Sequence, residues 1–153
     1  MTLRPKVTKF FCFFLFTKRR LSLPLGLDPL SKPEIPLCRL ADIEDGGSRG
    51  FLPQEWTDQI FAVRRGDEVF IYLNSCPHQW IELDYAKDRF LSGDRRTIMC
   101  FAHGAHFAIA TGECVAGVCE GDRLIPVPHR LEGGWILIPA ELPSHPTLGS
   151  ITD

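Results

Sequence analysis

From residue 35 onward, the chain alternates short apolar runs with turn residues. A first strand is predicted at 36–41, ahead of a Gly-rich turn at 45–47. The apolar runs at 59–65 and 68–74 are joined by Gly-Asp, which is a signal for a β-hairpin. No stretch shows a sustained helical period. The first half of the chain therefore predicts strands and turns.

The second half continues this pattern. A short apolar run at 97–99 is followed by a second predicted hairpin, in which 105–110 and 112–116 flank a Thr-Gly turn. A third hairpin is predicted from 124–127 and 135–138, on either side of a Glu-Gly-Gly turn. Short strands at even spacing with Gly turns indicate an all-β sandwich or small barrel.

Composition indicates one globular domain and excludes one class of partner. The chain has 153 residues, of which 44% are apolar and 24% charged. Its net charge is −2 and it has no stripe of Lys and Arg, so we expect no nucleic-acid partner. We predict three parts: a poorly ordered N-terminal extension at 1–34, a folded domain at 35–139 and a C-terminal tail at 140–153.

The N-terminal extension contains an apolar run at 10–16 between two groups of basic residues. A helix that spans a bilayer needs about 20 apolar residues, so stable membrane insertion is not expected. The run reaches the lower length limit of a signal-peptide core, but Thr-Lys-Arg-Arg follows it where small residues would mark a cleavage site. A start codon placed too far upstream, or a targeting or membrane-contact role, remains an alternative to a disordered extension.

Six cysteines are spread unevenly along the chain: Cys12, Cys38, Cys76, Cys100, Cys114 and Cys119. The spacing is not that of a secreted disulfide framework. Two of the cysteines stand beside histidines at spacings typical of metal ligands, and such cysteines are characteristic of reducing compartments. We therefore expect a cytoplasmic protein.

Two short motifs, Cys76-Pro-His78 and Cys100-Phe-Ala-His103, carry the candidate chemistry. Each places one thiolate and one imidazole where a predicted strand ends, so two facing loops would supply two sulfur and two nitrogen ligands. Zinc also binds two cysteines and two histidines, but it usually pairs Cys with Cys and His with His. Mixed pairs suit a binuclear iron–sulfur cluster with both cysteines on one iron. Four unconnected residues are a third interpretation, which the specific spacing disfavours.

Over residues 35–139 the sequence resembles the Rieske [2Fe-2S] domains, in particular their small bacterial ferredoxin-like members. The resemblance rests on Leu73-Asn-Ser-Cys-Pro-His, on Cys100-Phe-Ala-His-Gly-Ala and on the hairpin at 107–117. It implies a Rieske-type antiparallel β-sandwich with a small cluster-binding subdomain made of two loops.

The same resemblance implies a cofactor and a set of ligands. Cys76 and Cys100 would bind the buried iron of a [2Fe-2S] cluster, and His78 and His103 the outer iron. Residues 84–95 lengthen the gap between the two motifs and are expected to be an inserted surface loop.

Other positions depart from the family pattern. Trp80 stands where many members have Gly. High-potential members carry a disulfide between their two loops, and the corresponding residues here are Ile81 and Ala102, which cannot form one. Those members also carry two hydroxyl groups near the cluster, and the corresponding residues here, Ala105 and Phe107, have none. Hydrogen bonds to sulfur raise the potential of such clusters, so we expect a value at the low end of the Rieske range.

The remaining histidines are expected at the surface and not as ligands: His106, His129 and His145. On an alternating strand, His106 should point away from Phe107. Cys114 and Cys119 lie in what resembles a third loop that shields the cluster, where a small buried apolar role is favoured over a redox disulfide. Cys38 is expected in the core.

The resemblance implies an electron carrier that is not itself an enzyme. It would take one electron from a reductase and pass it to an oxygenase or a similar acceptor. A non-catalytic Rieske subunit of a nitrite reductase or ring-hydroxylating oxygenase system is an alternative. A catalytic oxygenase needs a 2-His-1-carboxylate iron site, and the other histidines form no His-x-x-x-His pair. A zinc-stapled interaction module is a further alternative.

Overall fold

The computed structural model describes residues 33–54 and 57–144, without the side chains of 53–58. These residues form β-strands and one short 3₁₀ helix, Leu40–Asp42. The strands are, in chain order, β1 (Glu34–Arg39), β2 (Ser48–Gln54), β3 (Thr57–Arg65), β4 (Glu68–Leu73), β5 (Ile98–Cys100), β6 (Ala105–Phe107), β7 (Cys114–Ala116), β8 (Arg130–Glu132) and β9 (Trp135–Pro139).

The strands pair as three antiparallel sheets, with the orders β1-β9-β8, β2-β3-β4 and β5-β6-β7. The all-β prediction is therefore confirmed. Two predicted hairpins are present as β3–β4 and β6–β7. Strand β2 was not predicted from the apolar pattern, because Gly50 and Pro53 interrupt its sequence.

The third predicted hairpin is wrong in one of its strands. The strand that forms a hairpin with β9 is β8, not residues 124–127. Those residues lie along β4 instead, where the Leu73 N–H donates to Ile125 O at 2.9 Å and the Val127 N–H donates to Ile71 O at 2.8 Å. Pro126 has no N–H to donate, which limits how this segment can pair.

The central sheet is buried on both faces. Ile60 and Ala62 of β3 belong to one core cluster together with Ile136 and Ile138 of β9. The intervening Phe61 belongs to a second cluster, which also contains Cys76, Cys100 and Phe107. Because side chains alternate along a strand, β3 joins the β1-β9-β8 sheet on one side to the cysteine-bearing loops on the other.

Residues 84–95 are anchored and are not simply a surface loop. Phe90 is fully buried and its ring stacks on that of Phe61, with centroids 4.3 Å apart and an angle of 5° between the planes. The Gly50 N–H also donates to the Asp88 carboxylate at 2.8 Å. The expectation of a loop lying on the surface is therefore corrected, because one aromatic residue of the insert is part of the core.

Both ends of the predicted domain fall near the limits of the described residues. The extension at 1–34 lies outside them except for its last two residues, and the tail at 140–153 is described as far as 144. The Ala140 N–H donates to Pro33 O at 2.7 Å, and Leu142 packs against the core cluster that contains Ile136. Within the described ranges, no helix is long and apolar enough to cross a bilayer.

Candidate metal centre

The first cysteine motif lies in a tight loop at residues 76–81, the first loop. The Cys76 N–H donates to Ile81 O, and the Trp80 N–H donates to Cys76 O, both at 2.7 Å. Trp80 has a φ of +58°, which is the left-handed conformation that favours glycine. The conformation at position 80 is thus one that Gly adopts more readily than Trp, which accords with the Gly that the sequence resemblance leads one to expect there.

Asn74 fixes the start of the first loop against the chain that leaves it. Its side-chain oxygen accepts a hydrogen bond from the Leu83 N–H at 2.9 Å, and its Nδ2 donates to the Asp84 carboxylate at 2.8 Å. Asn74 is itself buried. The Asn74 side chain thus links the start of the first loop to Leu83 and to Asp84, where the insert begins.

The second cysteine motif occupies the turn between β5 and β6, at residues 100–105, the second loop. Cys100 pairs with Ala105, and the Gly104 N–H donates to Cys100 O at 2.8 Å. The two loops are joined directly, because the Phe101 N–H donates to Leu83 O at 2.9 Å. Two motifs far apart in sequence are thereby held side by side.

The structure places all four predicted ligands on these two adjacent loops. The cysteines are buried, with 1% exposure for Cys76 and 0% for Cys100. The histidines are exposed, and the rings of His78 and His103 lie 5.1 Å apart between centroids. A cluster with one buried and one outer iron requires this arrangement, with the two cysteine sulfurs inside the protein and the two histidine nitrogens at its surface.

The groups around the Cys76 thiol shift its pKa in both directions. The pKa of Cys76 is raised to about 11, chiefly by burial, and the neighbouring Cys100 thiol acts in the same direction. Hydrogen bonds from the His78 backbone N–H and from the Cys119 thiol act in the opposite direction on this pKa. Metal binding would displace the proton, because thiolates are the ligands.

Within the part of the chain that is described, no three His, Cys, Asp or Glu side chains converge as a single-ion site.

Ser75 gives a further indication that a group binds here. Its hydroxyl is buried next to Cys76 and has no hydrogen-bond partner among the described residues. Leaving a buried hydroxyl unpaired costs about 1–3 kcal/mol, so a neighbouring acceptor is expected. The sulfurs of a bound cluster are such acceptors, and the donor set of two thiolates and two imidazoles fits a [2Fe-2S] cluster. No local pattern in the sequence singles out Ser75.

A third loop, residues 114–122, packs against the second. A Cβ on Gly117 would lie 2.8 Å from the Ala105 Cα, and the φ of Gly117 is +109°. Only glycine permits this approach. Ala105 and Phe107, which stand where high-potential members carry hydroxyls, are both fully buried beside the two loops.

The histidines that were not predicted as ligands lie apart from the four-residue site or outside the described residues. His106 is half-buried and its Nδ1 lies 2.8 Å from Thr97 Oγ1, between the buried Ala105 and Phe107, as alternation predicts. The expectation that His129 is a simple surface residue is wrong. Its two ring nitrogens lie 3.0 Å from Val127 O and 2.9 Å from Val69 O, so the ring links two backbone segments. His145 lies outside the described residues.

Comparison with known proteins places this site in a family. The model of the Rieske [2Fe-2S] domain matches residues 34–129. A ferredoxin of Sphingomonas yanoikuyae B1 is similar in structure, with 27% identity, a TM-score of 0.55, and coverage of 71% of this chain and 100% of that one. Curated protein sequences yield no match.

Two further solved structures share the fold at lower identity. The ferredoxin of carbazole 1,9a-dioxygenase from Nocardioides aromaticivorans IC177 is 23% identical, with a TM-score of 0.55, and the match covers 71% of this chain and 98% of that one. A chain in a complex of reduced oxygenase and oxidized ferredoxin in carbazole 1,9a-dioxygenase is 20% identical, with a TM-score of 0.56, and the match covers 73% and 97% of the two chains.

Proposed function

Since this chain belongs to the Rieske [2Fe-2S] domain family, we propose that it is a one-electron carrier whose cluster is held by Cys76, His78, Cys100 and His103. When bound, the cluster supplies a one-electron redox couple. The residues of the chain determine how that couple is shielded and where it is reached.

One observation carries the proposal: the two cysteines are buried and the two histidines are exposed. Cys76 and Cys100 hold their sulfurs away from water, in the same core cluster as Phe61 and Phe107. The imidazoles stand at the surface, where a partner protein can approach. An electron therefore has a short path out on the histidine side, whereas the cysteine side is closed by packed side chains.

The partners that we propose are a reductase as donor and an oxygenase as acceptor. The support is the similarity to ferredoxins, one of which is solved in complex with the oxygenase of a carbazole dioxygenase. The match covers 100% of the Sphingomonas ferredoxin and 98% of the Nocardioides ferredoxin. We infer that its histidine end is the surface that meets such a partner.

We also propose a cytoplasmic location and retain the division into an extension at 1–34, a domain at 35–139 and a tail at 140–153. Five cysteines in the described ranges are free thiols, which suits a reducing compartment. The family match at 34–129 supports the start of the domain.

Metal analysis and a redox titration of the full-length protein, purified without oxygen, test the proposal. We expect about two irons and two sulfides per chain. Stepwise reduction should consume one electron per chain, and the reduced protein should pass that electron to an oxidised Rieske oxygenase in a rapid-mixing experiment. One zinc ion and no sulfide would refute the proposal, as would a reduced cluster that no oxygenase can reoxidise.

A further inference from the structure

Two cysteines of the third loop have no role in the proposed ligand set. The sulfur atoms of Cys114 and Cys119 lie 3.3 Å apart. Both side chains are buried, with 9% exposure for Cys114 and 2% for Cys119, whereas the four residues between them are exposed. The loop therefore holds its two thiols together on its inner side.

The backbone keeps the two thiols in place. The Cys114 N–H donates to Asp122 O at 2.9 Å, and the Asp122 N–H donates to Cys119 O at 3.0 Å, so the third loop is closed on itself. The close packing of Gly117 on Ala105 fixes its tip. A disulfide bond is about 2.04 Å long, so the sulfurs need to approach by only about 1.3 Å.

We propose that Cys114 and Cys119 are a redox-modification site that forms a reversible disulfide with a low-molecular-weight disulfide, of the class of glutathione disulfide, as the oxidant. Cys114, the more exposed thiol, attacks one sulfur of the oxidant. The oxidant's S–S bond breaks, one thiol leaves with the proton that Cys114 loses, and a mixed disulfide remains.

In the second step Cys119 attacks the sulfur of Cys114. The second thiol leaves with the proton of Cys119, and the intramolecular bond forms. In total, two protein thiols are oxidised and one disulfide molecule is reduced to two thiols, so atoms and electrons balance without any contribution from the cluster.

The modification has a consequence for the metal centre, and this part rests on the proposed function. Cys119 and Cys76 are buried in the same core cluster, so the Cys119 thiol is a hydrogen-bond donor on the side of the molecule that holds a proposed cluster ligand. A disulfide has no S–H, so oxidation removes this donor from the surroundings of the cluster. Hydrogen bonds to the ligand sulfurs stabilise the reduced state of the cluster. The cluster of the disulfide-bonded protein should therefore have a lower reduction potential than the cluster of the dithiol form.

The test treats the cluster-loaded, full-length protein with graded mixtures of reduced glutathione and glutathione disulfide under nitrogen. Free thiols are then blocked and the protein is analysed by intact mass and by peptide mapping. We expect a species lighter by two hydrogen atoms, with a peptide cross-link between Cys114 and Cys119. Dithiothreitol should reverse it, and the visible spectrum of the cluster should persist throughout.

Three variants separate the two steps. Cys119→Ser should accumulate a glutathione adduct on Cys114, because the resolving thiol is missing. Cys114→Ser should form neither the adduct nor the cross-link, and its potential should not respond to the oxidant. Cys38→Ser is the matched control, since Cys38 is a buried thiol in the other core cluster, and it should behave as the wild type.

Three results would overturn the inference. They are no cross-link in a mixture that fully oxidises dithiothreitol, a cross-link to another cysteine, or loss of the visible spectrum before the cross-link forms. An unchanged potential in the cross-linked wild type would overturn the coupling to the metal centre. Because mass detects the cross-link whether or not iron is bound, failure of this inference is distinguishable from failure of the proposed electron transfer.

Discussion

The imidazole rings of His78 and His103 meet edge to face, with centroids 5.1 Å apart and an angle of 81° between the planes. Each stands on a separate loop, and the two loops are joined by the hydrogen bond from the Phe101 N–H to Leu83 O. This pairing distinguishes His103 from His106, which stands three residues later and bonds to Thr97.

Replacing His103 by Ala should therefore abolish or strongly destabilise the cluster, because one of the four proposed ligands is lost. His106→Ala is the control and should keep it, since that variant loses only the contact with Thr97 Oγ1. The visible absorption of freshly purified protein measures the outcome. Equal loss of colour in both variants would contradict the assignment of ligands.

The sequence predicts those parts of the fold and of the candidate site that depend on residues close together in the chain. The β3–β4 hairpin is predicted correctly because two apolar runs flank a short turn. The two ligand motifs are recognisable because each combines scarce residue types at a fixed spacing. That Cys76 and Cys100 are buried while His78 and His103 are exposed was expected only from the family resemblance.

Contacts between distant segments were not predictable in this way. Residues 124–127 are apolar enough for a hairpin strand with β9, but tertiary pairing places them along β4. His129 was expected at the surface because its neighbours are prolines, yet its ring reaches Val69 O, a partner 60 residues away. Nothing in the local pattern of the insert indicates that Phe90 stacks on Phe61.

The insert supplies the second prediction. Phe90→Ala should destabilise the protein by about 3–5 kcal/mol, because it removes a fully buried ring and leaves a cavity against Phe61. Tyr85→Ala is the control in the same segment, since Tyr85 is 67% exposed and should contribute much less. Urea-dependent unfolding measures both. Equal effects would mean that the insert is not anchored through Phe90.

The backbone of the first loop supplies the third prediction. Trp80→Gly and Trp80→Ala both remove the indole, but only Gly relieves the strain of a positive φ, worth about 1–2 kcal/mol. The Gly variant should therefore be the more stable of the two. At Val115, on a strand, the order should reverse, because Gly is less stable than Ala in regular structure. The test measures the free energy of unfolding of the Gly and Ala variants at positions 80 and 115. If Trp80→Ala is more stable than Trp80→Gly, the prediction is contradicted.

Ser75 supplies the fourth prediction. If its orphaned hydroxyl donates to the sulfur of the cluster, Ser75→Ala should lower the reduction potential, by about 59 mV for every 1.4 kcal/mol of hydrogen-bond energy lost. Ser92→Ala is the matched control, because Ser92 is also buried but donates to Asp94. Voltammetry compares the variants. A Ser75→Ala protein with an unchanged potential and higher stability would show that the hydroxyl stays unpaired when the cluster is bound.

The last prediction concerns the absolute potential. Ala105 and Phe107 are fully buried beside the cysteine loops, and neither has a hydroxyl to donate. We therefore expect a midpoint near the bottom of the Rieske range, at about −150 mV. The double variant Ala105→Ser with Phe107→Tyr should raise it. Two hydrogen bonds to a charged group, at about 1.5–3 kcal/mol each before losses, correspond to a shift on the order of 100 mV or more.

The packing of each site determines how these two hydroxyls should act. The backbone of Gly117 lies close to Ala105, so a serine at position 105 has little space on that side. Phe107 pairs with Ile98 and is held in the core cluster that contains both cysteines, which favours a tyrosine ring in the same place. The single variants should therefore each shift the potential upward, and the double variant should exceed both. A wild-type midpoint well above zero, or no upward shift in the double variant, would mean that other groups set the potential, and Ser75 and Cys119 would then be the first residues to test.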